Sequence, residues 1–140
     1  MLNVHESAVL SASAAEVWQA IGEFGSLAEW HPAAVTSTLE TRGADTVRVI
    51  NISGGGVLVE KREAHDDAAM SQSYSIVDGP LPVSDYYSTI KVTAGDDGTS
   101  TVDWIGRFNA DGADDATASK IIVGIYTSGL SALRKRFGEA

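Results

Sequence analysis

Between Val35 and Ala110 the chain runs as six short segments in which apolar and polar residues alternate: VTSTLE, TVRVINI, GVLVEKREAH, MSQSYSIV, VSDYYSTIKVTA and TSTVDWIGRFNA. A period of two sends successive side chains to opposite faces, so each segment is predicted to be a half-buried strand. The connections RGAD, SGGG, HDDAA, DGPLP and GDDG supply the glycine, aspartate and proline of tight turns. Neighbouring strands are therefore expected to pair antiparallel, as a meander.

Helical patterns flank this block. Asn3 to Leu10 alternates and reads as a first strand; Ser11 or Ser13 then caps a helix, with Glu16 three residues beyond Ser13 as in a capping box. Val17, Ile21 and Phe24 follow at helical spacing, flanked by Ala14, Trp18 and Leu27, while Gly22 and Gly25 divide the stretch into two short helices and Pro32 stops the second. Asp111 to Phe137 carries Ala118, Ile121, Ile122, Ile125, Gly129, Ala132 and Leu133 at spacings of three and four. That pattern makes a helix of about 20 residues, roughly 30 Å long. Its other side holds Val123, Tyr126, Leu130 and Phe137, as expected if a curved sheet wraps around it. Gly124 and Gly129 each cost about 1 kcal/mol relative to alanine in such a helix, and close approach of the sheet explains them better than room for a ligand.

The 140 residues suit one domain, 1–140, around one core. Nineteen acidic against ten basic side chains give a net charge of -9, which repels phosphate backbones and anionic headgroups. Neither nucleic acid nor membrane is an expected partner, and the basic run Arg134, Lys135 and Arg136 reads as a complement to the helix dipole. The absence of cysteine excludes disulfides, thiolate catalysis and cysteine metal sites. His5 and His65 belong to no HxH or HExxH pattern, so no metal and no cofactor is expected. SGGGV lacks the Lys-Ser/Thr ending and following helix of a phosphate loop and reads as a hairpin turn. The N-terminus has no basic segment leading into an apolar run, which points to a cytoplasmic protein; the pattern leaves monomer and homodimer both open.

Strand, two short helices, six strands and a long terminal helix is the order of the helix-grip fold. The strings AAEVWQAIGEFGSLAEWHPA, VEKREAHDDAAMSQSYSIVDGPLPVSDYYSTIKV, STVDWIGRF and GIYTSGLSALRKRFG resemble the SRPBCC superfamily, the START, birch-allergen (Bet v 1-like) and polyketide cyclase/dehydrase group, and within it the small bacterial MxaD-like members. The resemblance implies an α+β fold: a seven-stranded antiparallel sheet gripping the C-terminal helix, with two short helices after strand 1 and an apolar cavity between sheet and helix. It further implies a small hydrophobic ligand, bound or chemically transformed there.

Alternation sorts the side chains into an inner and an outer set. Val102, Trp104, Gly106 and Phe108 share the inner face of the last strand, Tyr86, Ser88, Ile90 and Val92 that of the strand before, and Tyr74 and Ile76 that of the next. In the segment from Val57, matching the family's acidic residue to Glu60 turns Leu58, Glu60 and Arg62 inward, facing Arg48, Ile50 and Ile52 of the neighbouring segment. A buried carboxylate needs a partner, and the guanidinium two positions away supplies one, either as a structural ion pair or as part of a catalytic set. In the catalytic reading Glu60 is a general acid or base, Tyr74 or Tyr86 donates to a ligand carbonyl, and an arginine steadies a developing enolate, as an aldol-type cyclisation or dehydration requires. His31 ends the second helix before Pro32, beside an inward-packing Trp30, with a proton-shuttling role at the cavity mouth as the alternative.

The candidate catalytic set is thus Glu60, Arg62, Tyr74, Tyr86 and His31, and the ligand-lining set is Trp30, Arg48, Ile50, Leu58, Ile76, Ser88, Trp104, Phe108, Ile121 and Ile125. The segment DGPLPVSD, with prolines on both sides of Leu81, is placed as a lip at the entrance. With the resemblance, this set implies a cofactor-independent cyclase or dehydratase acting on an aromatic or polyketide-like compound. A carrier of such a compound and an accessory protein working through its surface are the two alternatives.

Overall fold

The computed structural model describes residues 1–140. Strand β1 (Leu2–Leu10) leads into α1 (Ala14–Ile21), a short 3-10 turn (Phe24–Ser26) and α2 (Leu27–Trp30). Six strands follow, β2 (Ala34–Arg42), β3 (Asp45–Ile52), β4 (Val57–Asp66), β5 (Ser71–Asp78), β6 (Val83–Ala94) and β7 (Ser100–Ala110), and α3 (Asp115–Phe137) closes the chain. The sheet order is β1-β7-β6-β5-β4-β3-β2, antiparallel throughout, so the meander is completed by β1 returning beside β7. No helix is long and apolar enough to cross a membrane.

Local chemistry accounts for the breaks. Ser13 Oγ accepts from the Glu16 amide at 3.2 Å and donates to the Glu16 carboxylate at 3.2 Å, closing the cap of α1. Gly22 caps the C-terminus of α1, its N–H bonded to the Trp18 carbonyl, and a Cβ there would lie 2.6 Å from the Trp18 ring. His31, next to Pro32, turns to extended geometry (φ -96°, ψ 121°) and ends α2. Gly54, Gly55 and Gly56 all have positive φ, and SGGG forms the β3–β4 hairpin turn. Helix α3 begins four residues after Asp111, because Asp114 takes the capping position and accepts from the Thr117 amide at 2.8 Å.

Inner positions of β6 and β7 are buried as alternation requires: Tyr86, Ser88, Ile90 and Val92 on one strand, Val102, Trp104 and Phe108 on the other. Helix α3 packs across β1 and β7 through Ala118, Ile122, Tyr126, Gly129, Leu130 and Leu133. Two glycines set how close it comes. A Cβ on Gly106 would fall on the Tyr126 hydroxyl, and a Cβ on Gly129 would lie 2.7 Å from His31 Cδ2 and 2.8 Å from Trp104 Cζ3. Gly129 is therefore explained by packing, whereas a Cβ on Gly124 would meet nothing within 4 Å.

Candidate ligand-binding cavity

Away from β7, α3 stands off the sheet and leaves a cavity of about 200 Å³. Its wall combines Ile121 and Ile125 of α3 with Leu27 and His31 around α2, Ala33 and Ala34, Arg48, Ile50 and Ile52 of β3, Leu58 and Glu60 of β4, Tyr74, Leu81 and Trp104. The DGPLP connection reaches it through Leu81, held in part by Gly79, where a Cβ would lie 2.5 Å from Leu58 Cδ1.

Arg48 and Glu60 stand directly opposite each other in the β3–β4 ladder. Arg48 Nε and Nη2 both reach Glu60 Oε1 at 2.7 Å, and Nη1 donates to the Phe24 carbonyl at 3.1 Å. The guanidinium lies 4.2 Å from the centre of the Phe24 ring and 4.7 Å from that of Tyr74, so aromatic faces replace its lost hydration. The two residues keep only 4% and 5% of their surface exposed. Both arginine contacts fall on one carboxylate oxygen; Glu60 Oε2 has no protein partner and keeps surface open to the cavity. Burial raises the Glu60 pKa, and the charge and hydrogen bonds of Arg48 oppose that rise.

Arg62 does not take the role expected for it. It is half-buried, forms no ion pair and does not line the cavity. Residues two apart on a strand are separated by about 7 Å, whereas cross-strand partners bring their Cβ atoms within about 5.5 Å, so Arg48 wins the carboxylate.

His31 has both ring nitrogens engaged. Nε2 lies 2.8 Å from the Ile125 carbonyl, which can only accept, and the Ala33 amide, which can only donate, reaches Nδ1 at 3.1 Å. The ring is consequently the neutral tautomer protonated at Nε2. Burial lowers its pKa, the Ile125 hydrogen bond opposes this, and the Arg48 charge lowers it further. His31 fastens α2 to α3 and has no free nitrogen for proton transfer in this arrangement.

Behind Trp104 runs a chain of hydroxyls. The indole Nε1 donates to Tyr74 at 3.0 Å and to Ser88 at 3.1 Å; Ser88 Oγ lies 2.8 Å from the Tyr126 hydroxyl, which is hydrogen-bonded in turn to Tyr86. Trp104 and Tyr126 stack at 4.5 Å, 10° from parallel. Burial, reinforced by the Glu60 charge, pushes Tyr74 up to about 12; burial and the neighbouring tyrosines push Tyr86 and Tyr126 up as well. All three stay protonated near neutrality.

Of the residues expected from sequence, His31, Arg48, Ile50, Leu58, Glu60, Tyr74, Trp104, Ile121 and Ile125 meet at the cavity. Trp30 packs against Trp104 with ring centres 5.7 Å apart, Ser88 and Phe108 are buried behind the wall, and none of the three lines the cavity. Tyr86 and Ile76 line a separate polar pocket of about 280 Å³ beside the β5–β6 connection. The wall residues absent from the expected set are Leu27, Ala33, Ala34, Ile52 and Leu81. Ile52 shares the strand face of Arg48 and was legible by alternation; Ala33 and Ala34 follow Pro32 with no periodicity to mark them.

Fold and cavity together are those of a helix-grip protein. The sequence over residues 1–138 matches the family described as "Polyketide cyclase / dehydrase and lipid transport", and the chain belongs to that family. Among solved structures it is similar to the protein XoxI from Bacillus cereus, with 36% identity and a TM-score of 0.93 over 98% of this chain and 96% of that one. It is also similar to the ZhuI aromatase/cyclase from Streptomyces sp. R1128 (14% identity, TM-score 0.78, 96% and 92% covered) and to a START superfamily protein from Mycobacterium smegmatis (13%, 0.79, 96% and 96%). The last two likenesses concern the fold alone. No curated protein matches the sequence.

Proposed function

We propose that this protein binds a compact hydrophobic molecule between α3 and the β3–β4 side of the sheet. The observation that carries the reading is the cavity itself: apolar side chains from five strands and two helical segments surround about 200 Å³ that no side chain fills. An engineered apolar cavity of about 150 Å³ accepts benzene, so this one suits a single-ring or short-chain compound. A multi-ring polyketide would have to displace Leu81, Ile121 or Ile125 at the wall. Native mass spectrometry of protein purified from its own host, with the released compound identified, tests the reading. A stoichiometric compound is the expected result. An empty protein that also ignores a panel of aromatic and lipid compounds would overturn it in favour of the surface-acting accessory alternative.

A second reading, a cofactor-independent cyclase or dehydratase, is favoured by one observation, the desolvated Glu60 whose Oε2 is open to the cavity. A carboxylate in that setting is suited to take a proton from a bound substrate. The other expected participants are committed elsewhere: Arg48 to Glu60, His31 to Ile125 and Ala33, and Tyr86 to Tyr126. Chemistry would thus rest on Glu60 with Tyr74 beside it. Turnover of the recovered compound that disappears in Glu60→Gln while binding persists is the expected signature; binding without turnover in the wild type rejects the catalytic reading.

A further inference from the structure

We propose that the cavity selects a neutral molecule that donates a hydrogen bond, a phenol or alcohol rather than the matching ether or a carboxylate, with Glu60 Oε2 as the acceptor. This rests on the binding reading above and specifies its ligand class. The inference comes from the acceptors of the polar wall groups and the one among them that is left without a partner. Arg48 spends three of its five N–H groups, Nε and Nη2 on Oε1 and Nη1 on the Phe24 carbonyl, with its faces covered by the Phe24 and Tyr74 rings. His31 has one nitrogen donating to Ile125 and the other accepting from Ala33. Trp104 shares its single N–H between Tyr74 and Ser88, and the Tyr74 hydroxyl that accepts it sits beside the Ser88 and Tyr86 hydroxyls, within the network behind the indole. Oε2 alone is an acceptor with no partner, on a residue 5% exposed.

Charge narrows the class further. Arg48 and Glu60 neutralise each other, so an anionic ligand would gain no counterion and would bring its charge against Oε2. A cationic ligand would surrender its hydration to a carboxylate already paired. A neutral O–H gives Oε2 the donor it lacks and leaves the remainder of the molecule to the apolar wall. Hydrogen bonds to a charged acceptor are worth more than neutral ones, and an analogue that cannot donate leaves Oε2 desolvated and unpaired.

Calorimetric titration with p-cresol, 4-methylanisole and 4-methylbenzoate, three probes that share a methyl-substituted ring and differ in the group para to it, tests this. The wild type is expected to bind p-cresol about tenfold to a hundredfold more tightly than 4-methylanisole, with 4-methylbenzoate weakest. In Glu60→Gln, whose amide oxygen can keep Arg48 while its NH₂ turns to the cavity, the advantage of p-cresol over 4-methylanisole is expected to vanish. Equal binding of p-cresol and 4-methylanisole by the wild type, or an unchanged preference in a folded Glu60→Gln, overturns the assignment of ligand class while leaving the cavity as a binding site. No binding of any probe, together with an empty protein in native mass spectrometry, overturns both. The wild-type comparison stands alone if Glu60→Gln does not fold.

Discussion

Along β7 the terminal helix is drawn onto the sheet until glycine is needed on both sides of the contact, whereas along β3 and β4 it stands away and leaves a cavity. On the closed side Gly106 receives the Tyr126 hydroxyl and Gly129 receives His31 and Trp104. On the open side Ile121 and Ile125 look across at Ile50, Leu58 and the Arg48–Glu60 pair without meeting them. The difference teaches that the cavity follows from where α3 is seated: glycine-seated contacts draw the helix onto β1 and β7, and the β3–β4 flank is left uncovered. It also means that the two sides fail differently when altered.

The largest effect is expected on the open side, at the ion pair. Glu60→Leu leaves a guanidinium buried without a counterion, and arginine does not shed its proton, so a loss of about 3–5 kcal/mol is expected. Arg48→Met should be milder, because the stranded carboxyl can take up a proton. The double variant Arg48→Met/Glu60→Leu should return close to wild type, within about 1 kcal/mol, since apolar replacement of a buried pair is often neutral. Denaturant unfolding of the three variants checks the order, and a double variant as unstable as Glu60→Leu would show that the pair contributes more than mutual compensation.

The closed side should respond to added volume. Gly129→Ala places a methyl group 2.7 Å from His31 and 2.8 Å from Trp104, and about 1–3 kcal/mol of destabilisation is expected from the displaced rings. Gly106→Ala puts its methyl group on the Tyr126 hydroxyl. Adding Tyr126→Phe removes that oxygen and should recover part of the loss, whereas Tyr126→Phe added to Gly129→Ala should recover none. Thermal unfolding of the single and double variants separates these outcomes.

How much of this was legible beforehand differs between the same two sides. Alternation in β6 and β7 carried Tyr86, Ser88, Val102, Trp104 and Phe108 to their buried positions, because a strand flanked by partners on both edges leaves only the two faces to choose between. The cavity wall was harder to read. Arg62 and Arg48 share the inward parity, and only the β3–β4 register, which no local pattern encodes, decides that Arg48 faces Glu60. The bonds of His31 were out of reach for the same reason: its acceptor, Ile125, lies 94 residues away on a different element. Gly129 stands out in the sequence by its helix penalty, but its neighbours His31 and Trp104 follow only from the docking of α2 and β7.

Gly124 offers a smaller test of the same contrast. It sits on the exposed side of α3, and a Cβ there meets nothing within 4 Å, so no close contact requires glycine. Gly124→Ala should therefore stabilise by about 1 kcal/mol, the difference in helix propensity, with opposite sign to Gly129→Ala one turn further along. A destabilised Gly124→Ala in a melting experiment would show that α3 bends or is contacted at this point.

The smallest signal is the pH dependence, because the two buried titratable groups of the open side act in opposite directions. His31 is lowered from 6.5 by burial, so below pH 6.5 the unfolded chain binds the proton first and stability falls as pH falls. Glu60 is raised from 4.5 by burial, so above pH 4.5 the folded state holds the proton more tightly and stability falls as pH rises. Between these values the two slopes oppose, each bounded by about 1.4 kcal/mol per pH unit for one proton. His31→Gln preserves a donor for Ile125 and an acceptor for Ala33 while removing the titration, and relative to wild type its stability should improve as pH falls through this window. Arg48→Met/Glu60→Leu should move the other way, losing stability relative to wild type as pH falls. Parallel pH profiles for wild type and His31→Gln would mean that His31 binds its proton equally in the folded and unfolded states, and the assignment of a neutral ring fastening α2 to α3 would fall with that result.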